Sequence, residues 1–239
     1  MSDLRRFFLP RITQPLTICD EEFRHAVNVL RIKENERIIV CDNSGLEYIC
    51  NVDKINKKDM ELSVLDKRQS NVEANSFVTL FAGYLKGDKT ELVVQKAVEL
   101  GVKEIVVFNS QYCSAFMNEN KLARLNKVSV ESAKQCGRAI APPVRYIDNF
   151  EGVLKEGEKF DNKLFACEFA TKSQVDLTKP LFGSTAIVVG SEGGFSQEES
   201  DLTKQYGYQT VFLGKRILRA ETACISLCAI VMNCLGELK

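Results

Sequence analysis

TAIVVGSEGGFSQEESDLTKQYG, Thr185 to Gly207, carries three signals in one run. The apolar TAIVV reads as a buried strand, and GSEGG (Gly190 to Gly194) as a turn with three glycines in five residues. The segment SQEESDLTKQYG opens with Ser196 and Glu199 in the spacing of a capping box, which starts a helix. Strand, glycine turn and capped helix in that order are the unit of a parallel α/β sheet, whose ligands bind beyond the carboxyl ends of the strands. Glycines there let backbone amides and carbonyls approach a ligand with no side chain between. The plainer alternative is a tight turn that needs positive φ. The run is not G-x-G-x-x-G, and no Gly-Lys-Ser/Thr follows a strand, which disfavours a dinucleotide or a triphosphate.

Working outward, YQTVFLG reads as the next strand, and LGKRILRAETA (Leu213 to Ala223) repeats the geometry before a helix that begins near Glu221. Two glycine-bearing strand ends side by side make one crevice, and charge at its mouth is costly unless paired or used. Upstream, FVTLFAGY, KEIVVFNS and NKLFACEF are strands. Between them lie the helix KTELVVQKAVEL, stopped by Gly101, and a long helix running to about Cys136, stopped by Gly137. Before residue 72 the texture differs. ERIIVCDNSGLEYICNVDKIN is strand, turn, strand; KKDMELSVLDKR adds a strand, and DEEFRHAVNVLRI reads as one short helix. QSNVEANS (Gln69 to Ser76) is polar and without period, so it reads as a linker. The expected division is a small β unit over residues 1–70 and an α/β domain over residues 71–239.

Composition adds limits. The 239 residues are 45% hydrophobic and 27% charged, with 32 basic and 32 acidic side chains, as in an ordinary globular protein. Zero net charge does not advertise a nucleic-acid binder, so an RNA reading rests on local patches. The nine cysteines include no C-x-x-C, and there is one histidine, His25, so no metal site is expected. Cys224 and Cys228, one helical turn apart, read first as small core residues. The N-terminal MSDLRRFFLP has no apolar h-region and no apolar run approaches 18 residues, which leads us to expect a cytoplasmic protein with no membrane partner. On the helix Thr90 to Leu100, Glu91, Gln95 and Glu99 share one face and Val93, Ala97 and Leu100 another. The polar face reads equally as solvated or as an RNA or dimer surface.

VGSEGGFSQEE followed by LGKRILRAETA resembles the paired signature of the RsmE-type 16S rRNA uridine-N3 methyltransferases of the SPOUT superfamily. RRFF (Arg5 to Phe8), HAVNVLR (His25 to Arg31), KGDKTELVVQKAVELGV (Lys86 to Val102) and ESAKQCGRAIAPPV (Glu131 to Val144) match in order and spacing, so the resemblance covers nearly the whole chain. It implies a PUA-like RNA-binding β-barrel ahead of a parallel sheet tied in a trefoil knot, a feature almost absent from protein folds. It also implies S-adenosylmethionine as cofactor, a homodimer, and small-subunit ribosomal RNA in the assembled 30S particle as substrate. By position, the cofactor falls to three loops: Phe165, Cys167 and Glu168; Gly190, Ser191, Glu192, Gly193 and Gly194; and Leu213, Gly214, Ile217 and Leu218, with Ala223. Arg5, Arg6, Arg11, Arg24, Arg31, Lys86 and Lys89 are the candidate RNA contacts. Ser191 departs from the family's usual Gly-Pro-Glu-Gly-Gly; it frees φ and restores an N–H, which predicts a less preorganised loop and weaker cofactor binding.

The chemistry then sets the roles. Methyl transfer from a sulfonium is a positioning task. The imide N3–H of uracil is a poor nucleophile until deprotonated, so the enzyme must take the proton, stabilise the anion spread onto O2 and O4, or both. A charged arginine cannot be the base but can stabilise that anion. Arg138 or Arg219 is expected to do so, with Glu192 as the candidate proton acceptor. The alternatives for these residues are an ion pair and a helix-start carboxylate. Competing functions are a related enzyme methylating a ribose 2′-hydroxyl or another base, a non-catalytic RNA-binding assembly factor, and, more distantly, a metabolic enzyme with a phosphate-binding glycine loop.

Overall fold

The computed structural model describes residues 4–168, 170 and 172–238. The chain folds as two units: residues 1–73 with 130–141, and residues 74–129 with 142–239.

The first unit holds β1 (Arg6–Phe8), β2 (Leu16–Cys19), α1 (Asp20–Arg24), β3 (Arg37–Cys41), β4 (Leu46–Ile55) and β5 (Asp59–Gln69). The expected short helix is there as α1, but it widens into a π-helical turn at His25–Val29. The strands form one sheet in the order β1-β3-β4-β5-β2, antiparallel apart from the β1–β3 pair. Alternation places Ile38, Val40, Cys50, Val52, Met60 and Leu62 in one core with Phe7 and Ile18. Two register shifts in the β4–β5 ladder bend the sheet, as bulges do.

The second unit alternates strand and helix: β6 (Val78–Gly83), α2 (Lys89–Glu99), β7 (Glu104–Phe108), α3 (Glu119–Cys136), β8 (Val144–Ile147), α4 (Phe150–Gly157), β9 (Asn162–Ala166), β10 (Thr185–Val189), α5 (Gln197–Gln205), β11 (Gln209–Val211) and α6 (Ala220–Cys234). The last turns of α3 belong with the first unit. Gly101 and Gly137, the expected helix stops, sit at φ +91° and +83°. The capping box of α5 forms in both directions: Ser196 Oγ accepts the Glu199 N–H at 3.2 Å, and the Glu199 carboxylate accepts the Ser196 N–H at 2.9 Å. All six strands run parallel in the order β11-β9-β10-β6-β7-β8. Beneath the sheet's carboxyl end, Phe81, Phe108, Phe150, Phe165 and Phe195 fill one core. Three strands that neighbour one another, β11, β9 and β10, therefore end on the same side, and the loops leaving them share one space.

Candidate active site

Those three loops enclose a cavity of ≈ 470 Å³, inside the range of about 300–1,000 Å³ usual for small-molecule sites. Cys167 and Glu168 enter it after β9; Gly190, Ser191, Glu192 and Gly194 after β10; Leu213, Gly214, Ile217 and Leu218 after β11, with Ala223 from the first turn of α6. Arg219 and Lys89 also line it. Phe165 lies beneath the wall instead, fully buried, with its ring centroid 4.7 Å from that of Phe195. Gly193 faces away, against Tyr112. Arg138 belongs to the first unit and is not among the lining residues.

The glycines are there because no side chain fits. A Cβ on Gly190 would lie 2.8 Å from the Phe195 ring, and one on Gly194, which sits at φ +66°, would overlap the Glu168 carboxylate. Gly83, at the end of β6, supports the turn from below: a Cβ there would overlap Ser191 N and lie 2.7 Å from Gly190 C. In the sequence Gly83 is only one residue inside the expected strand FVTLFAGY. Its role depends on which strand lies beside β6.

The two carboxylates of the cavity differ in state. Glu192 accepts from Lys89 Nζ at 2.9 Å and from the Lys86 N–H at 3.2 Å. Burial raises its pKa, but the hydrogen bonds from the Lys89 ammonium and from backbone N–H groups outweigh that and hold the carboxyl below the usual range. Glu168 is exposed at the cavity mouth and accepts no hydrogen bond among the described residues, and partial loss of hydration pushes its pKa up. The Arg219 guanidinium, exposed at the N-cap of α6, has no partner among the described residues. Arg138, by contrast, is 4% exposed in its side chain and grips Glu73 through Nε at 3.1 Å and Nη2 at 2.9 Å. Glu73 also accepts the N–H groups of Ala139 and Ile140, each at 3.0 Å.

The candidate RNA contacts separate in the same way. Arg5, Arg11, Arg24 and Arg31 are exposed in the first unit, and Lys86 is exposed in the second. Arg6 is committed to Glu47 at 2.8 Å, which also holds Arg68 at 2.7 Å. Cys224 and Cys228 are buried in α6, and burial pushes the Cys228 thiol up to about 12, so the pair stays protonated in the core.

Ser191 is buried, and its hydroxyl has no hydrogen-bond partner among the described residues. Proline there removes an unsatisfied buried hydroxyl and fixes φ. Ser191→Pro is therefore expected to tighten cofactor binding several-fold by titration calorimetry, whereas an unchanged dissociation constant removes preorganisation as the explanation.

A parallel sheet with a strand-end cavity, in a chain that also carries a small β unit, defines a class, and comparison with known proteins agrees on it. The RNA methyltransferase domain model matches residues 72–232 and the RNA methyltransferase PUA domain model residues 18–65. The molecule is an RNA methyltransferase with an N-terminal PUA-like domain. Ribosomal RNA small subunit methyltransferase E of Bacillus subtilis is 32% identical over 238 residues, covering 92% of this chain and 93% of that protein. The protein of the same name from Neisseria gonorrhoeae, solved bound to S-adenosylmethionine, superposes with TM-score 0.84 at 29% identity, over 96% of this chain and 97% of that one. A Legionella pneumophila methyltransferase in complex with the same cofactor gives TM-score 0.87 at 27% identity, also over 96% and 97%. The chain belongs to the ribosomal RNA small subunit methyltransferase E family. S-adenosylmethionine suits the cavity: glycine backbone for the adenosine to lie against, apolar Ile217, Leu218 and Ala223, and two carboxylates for a ligand with two cationic centres. No helix among the described residues is long and apolar enough to cross a membrane.

Proposed function

We propose that this chain methylates N3 of a uridine in small-subunit 16S rRNA, acting on the assembled 30S particle. The observation that carries the reading is an unpartnered arginine, Arg219, on the rim of a cavity fit for the cofactor. Bound there, S-adenosylmethionine supplies an electrophilic methyl group. The protein's own part is to hold the imide in line with it and to manage one proton. Arg219 stabilises charge on O2 or O4, and its fork of donors suits a spread anion. Glu168 takes the proton in preference to Glu192, because a carboxylate tied to Lys89 and held below its usual pKa is the weaker base.

Glu168→Gln is then expected to lower kcat about a hundredfold, with Glu192→Gln acting mainly on cofactor affinity. A base must be ionised to accept a proton, so the rate rises with pH through the Glu168 pKa. The upward shift of that group moves the acid limb above that of an ordinary glutamate. A pH profile unchanged in Glu168→Gln sinks the assignment.

Residues 1–70 carry as many basic as acidic side chains, which suits recognition of a folded particle's shape more than of naked RNA. The same reading keeps a functional boundary near residue 70, a cytoplasmic setting, a homodimer and a knot. Ile217, 93% exposed at the cavity rim, is the kind of apolar side chain a second copy covers. The pairing of β11 with β9, across from the preceding β10, supports a threaded chain end. The deciding experiment incubates the protein and methyl-labelled S-adenosylmethionine with unmodified small subunits or naked rRNA, then identifies the nucleoside by digestion and mass spectrometry. N3-methyluridine from subunits is expected. A 2′-O-methyl or other base product replaces the substrate, and cofactor binding without transfer to either RNA favours an assembly factor.

A further inference from the structure

N3 of uracil is the donor in Watson–Crick pairing, so, if the proposed function holds, the acceptor nucleotide must be unpaired and its neighbours lose a stacking partner. A protein meets that need with exposed flat side chains beside its site. We infer that Tyr112 and Phe116, on the loop that follows β7, form a stacking platform for the unpaired bases next to the methylated uridine.

The loop leaves the sheet at Phe108, on the same side as the cavity loops, because β7 runs parallel to them. It is clamped to the glycine turn. Gln111 donates its N–H to the Glu199 carboxylate at 2.8 Å, so the capping glutamate of α5 also holds this loop. Ser110 Oγ donates to Gly194 O at 3.5 Å. Tyr112 occupies the space a side chain on Gly193 would need, since a Cβ there would lie 2.6 Å from Tyr112 Cβ and 2.7 Å from its carbonyl oxygen. Glu192 and Gly194, on either side of that glycine, line the cavity, so Tyr112 stands one residue behind its wall. Farther along, Cys113 Sγ donates to Tyr84 O at 3.1 Å.

A loop fixed at so many points still leaves Tyr112 51% and Phe116 74% exposed. Burying them is what an anchored loop would do if packing were their purpose. Cations stand beside them. Lys121 Nζ donates to Phe116 O at 2.7 Å and lies 5.3 Å from the Tyr84 ring, and Lys86, exposed ahead of α2, donates its N–H to Glu192 of the same glycine turn. Aromatic faces interleaved with lysines match a single-stranded nucleic acid, whose bases stack while its phosphates meet the positive charge. That complementarity selects unpaired RNA as the occupant over a second copy of the chain.

The test compares wild type with Tyr112→Ala, Phe116→Ala, the double variant and Tyr112→Phe. Three quantities are read: affinity for unmodified small subunits by direct binding, KM and kcat for methyl transfer, and sedimentation mass. Each alanine variant is expected to weaken subunit binding and raise KM about tenfold, with kcat and the cofactor dissociation constant unchanged. Tyr112→Phe keeps its stacking face and should behave as wild type. Unchanged subunit affinity in the double variant overturns the platform, as does a fall in mass that makes these residues a contact between copies. Absence of N3-methyluridine with wild type counts against the function proposed above instead, and the binding arm then decides the platform by itself.

Discussion

Alanine at Gly83 is expected to weaken S-adenosylmethionine binding about a hundredfold or more, because displacing a positioned wall by an ångström is worth that much. The residue does not line the cavity. It ends β6, where its missing side chain leaves room for the backbone of Gly190 and Ser191 to pass directly over it. A Cβ would meet main-chain atoms, which cannot swing aside as a flexible side chain can. The turn would have to lift, and the turn is the wall of the cavity. Overpacking of a buried site costs about 1–3 kcal/mol in stability, so the variant should melt lower yet still fold. Gly87→Ala is the matched control: it has a positive φ of +66° but nothing within 4 Å of a Cβ, so it carries backbone strain without touching the turn. Calorimetry on the two variants separates lost preorganisation from general destabilisation. Equal cofactor affinities would refute the part assigned to Gly83.

Gly83 also marks where sequence reading stops. Short-range signals were legible: the capping box at Ser196, the helix stops at Gly101 and Gly137, and the alternation of strand with helix in the second unit. The two glycine-bearing loops that line the cavity were legible because each lies within a dozen residues. β8 and α4 leave little trace in the sequence, since VRYI is four residues long and the signal for the helix, an Asn149 side chain accepting the Gly152 N–H at 2.7 Å, is a single cap. What depends on strand order was not legible at all. Nothing local says that β10 lies between β9 and β6, and hence that Gly83 underlies Ser191 or that Glu168 lies over Gly194. QSNVEANS reads as a featureless linker, yet its Glu73 joins Arg138, Ala139 and Ile140 across more than sixty positions of sequence. For the same reason, residues 130–141 group with the first unit although they lie far along the chain.

That buried pair separates two arginines that the sequence leaves equivalent. Arg219→Ala is expected to lower kcat about a hundred- to a thousandfold at saturating RNA and cofactor, the usual cost of removing one donor from a developing anion. Its guanidinium holds nothing else in the described structure, so stability should barely move. Lysine at 219 keeps the charge and loses the planar fork, and a spread imide anion should reward it with only part of the rate. Arg138→Ala should do the opposite. It leaves the Glu73 carboxylate buried without its guanidinium, a loss of about 3–5 kcal/mol in stability, while turnover per folded molecule stays near normal. Unfolding curves and single-turnover rates on both variants give four numbers. A stable but inactive Arg138→Ala would exchange the two roles, and normal single-turnover rates in both would mean that neither arginine meets the anion. The expected pattern follows from partners alone: an arginine already holding a carboxylate from two nitrogens has little left for a substrate, and one held by nothing at a cavity rim has everything.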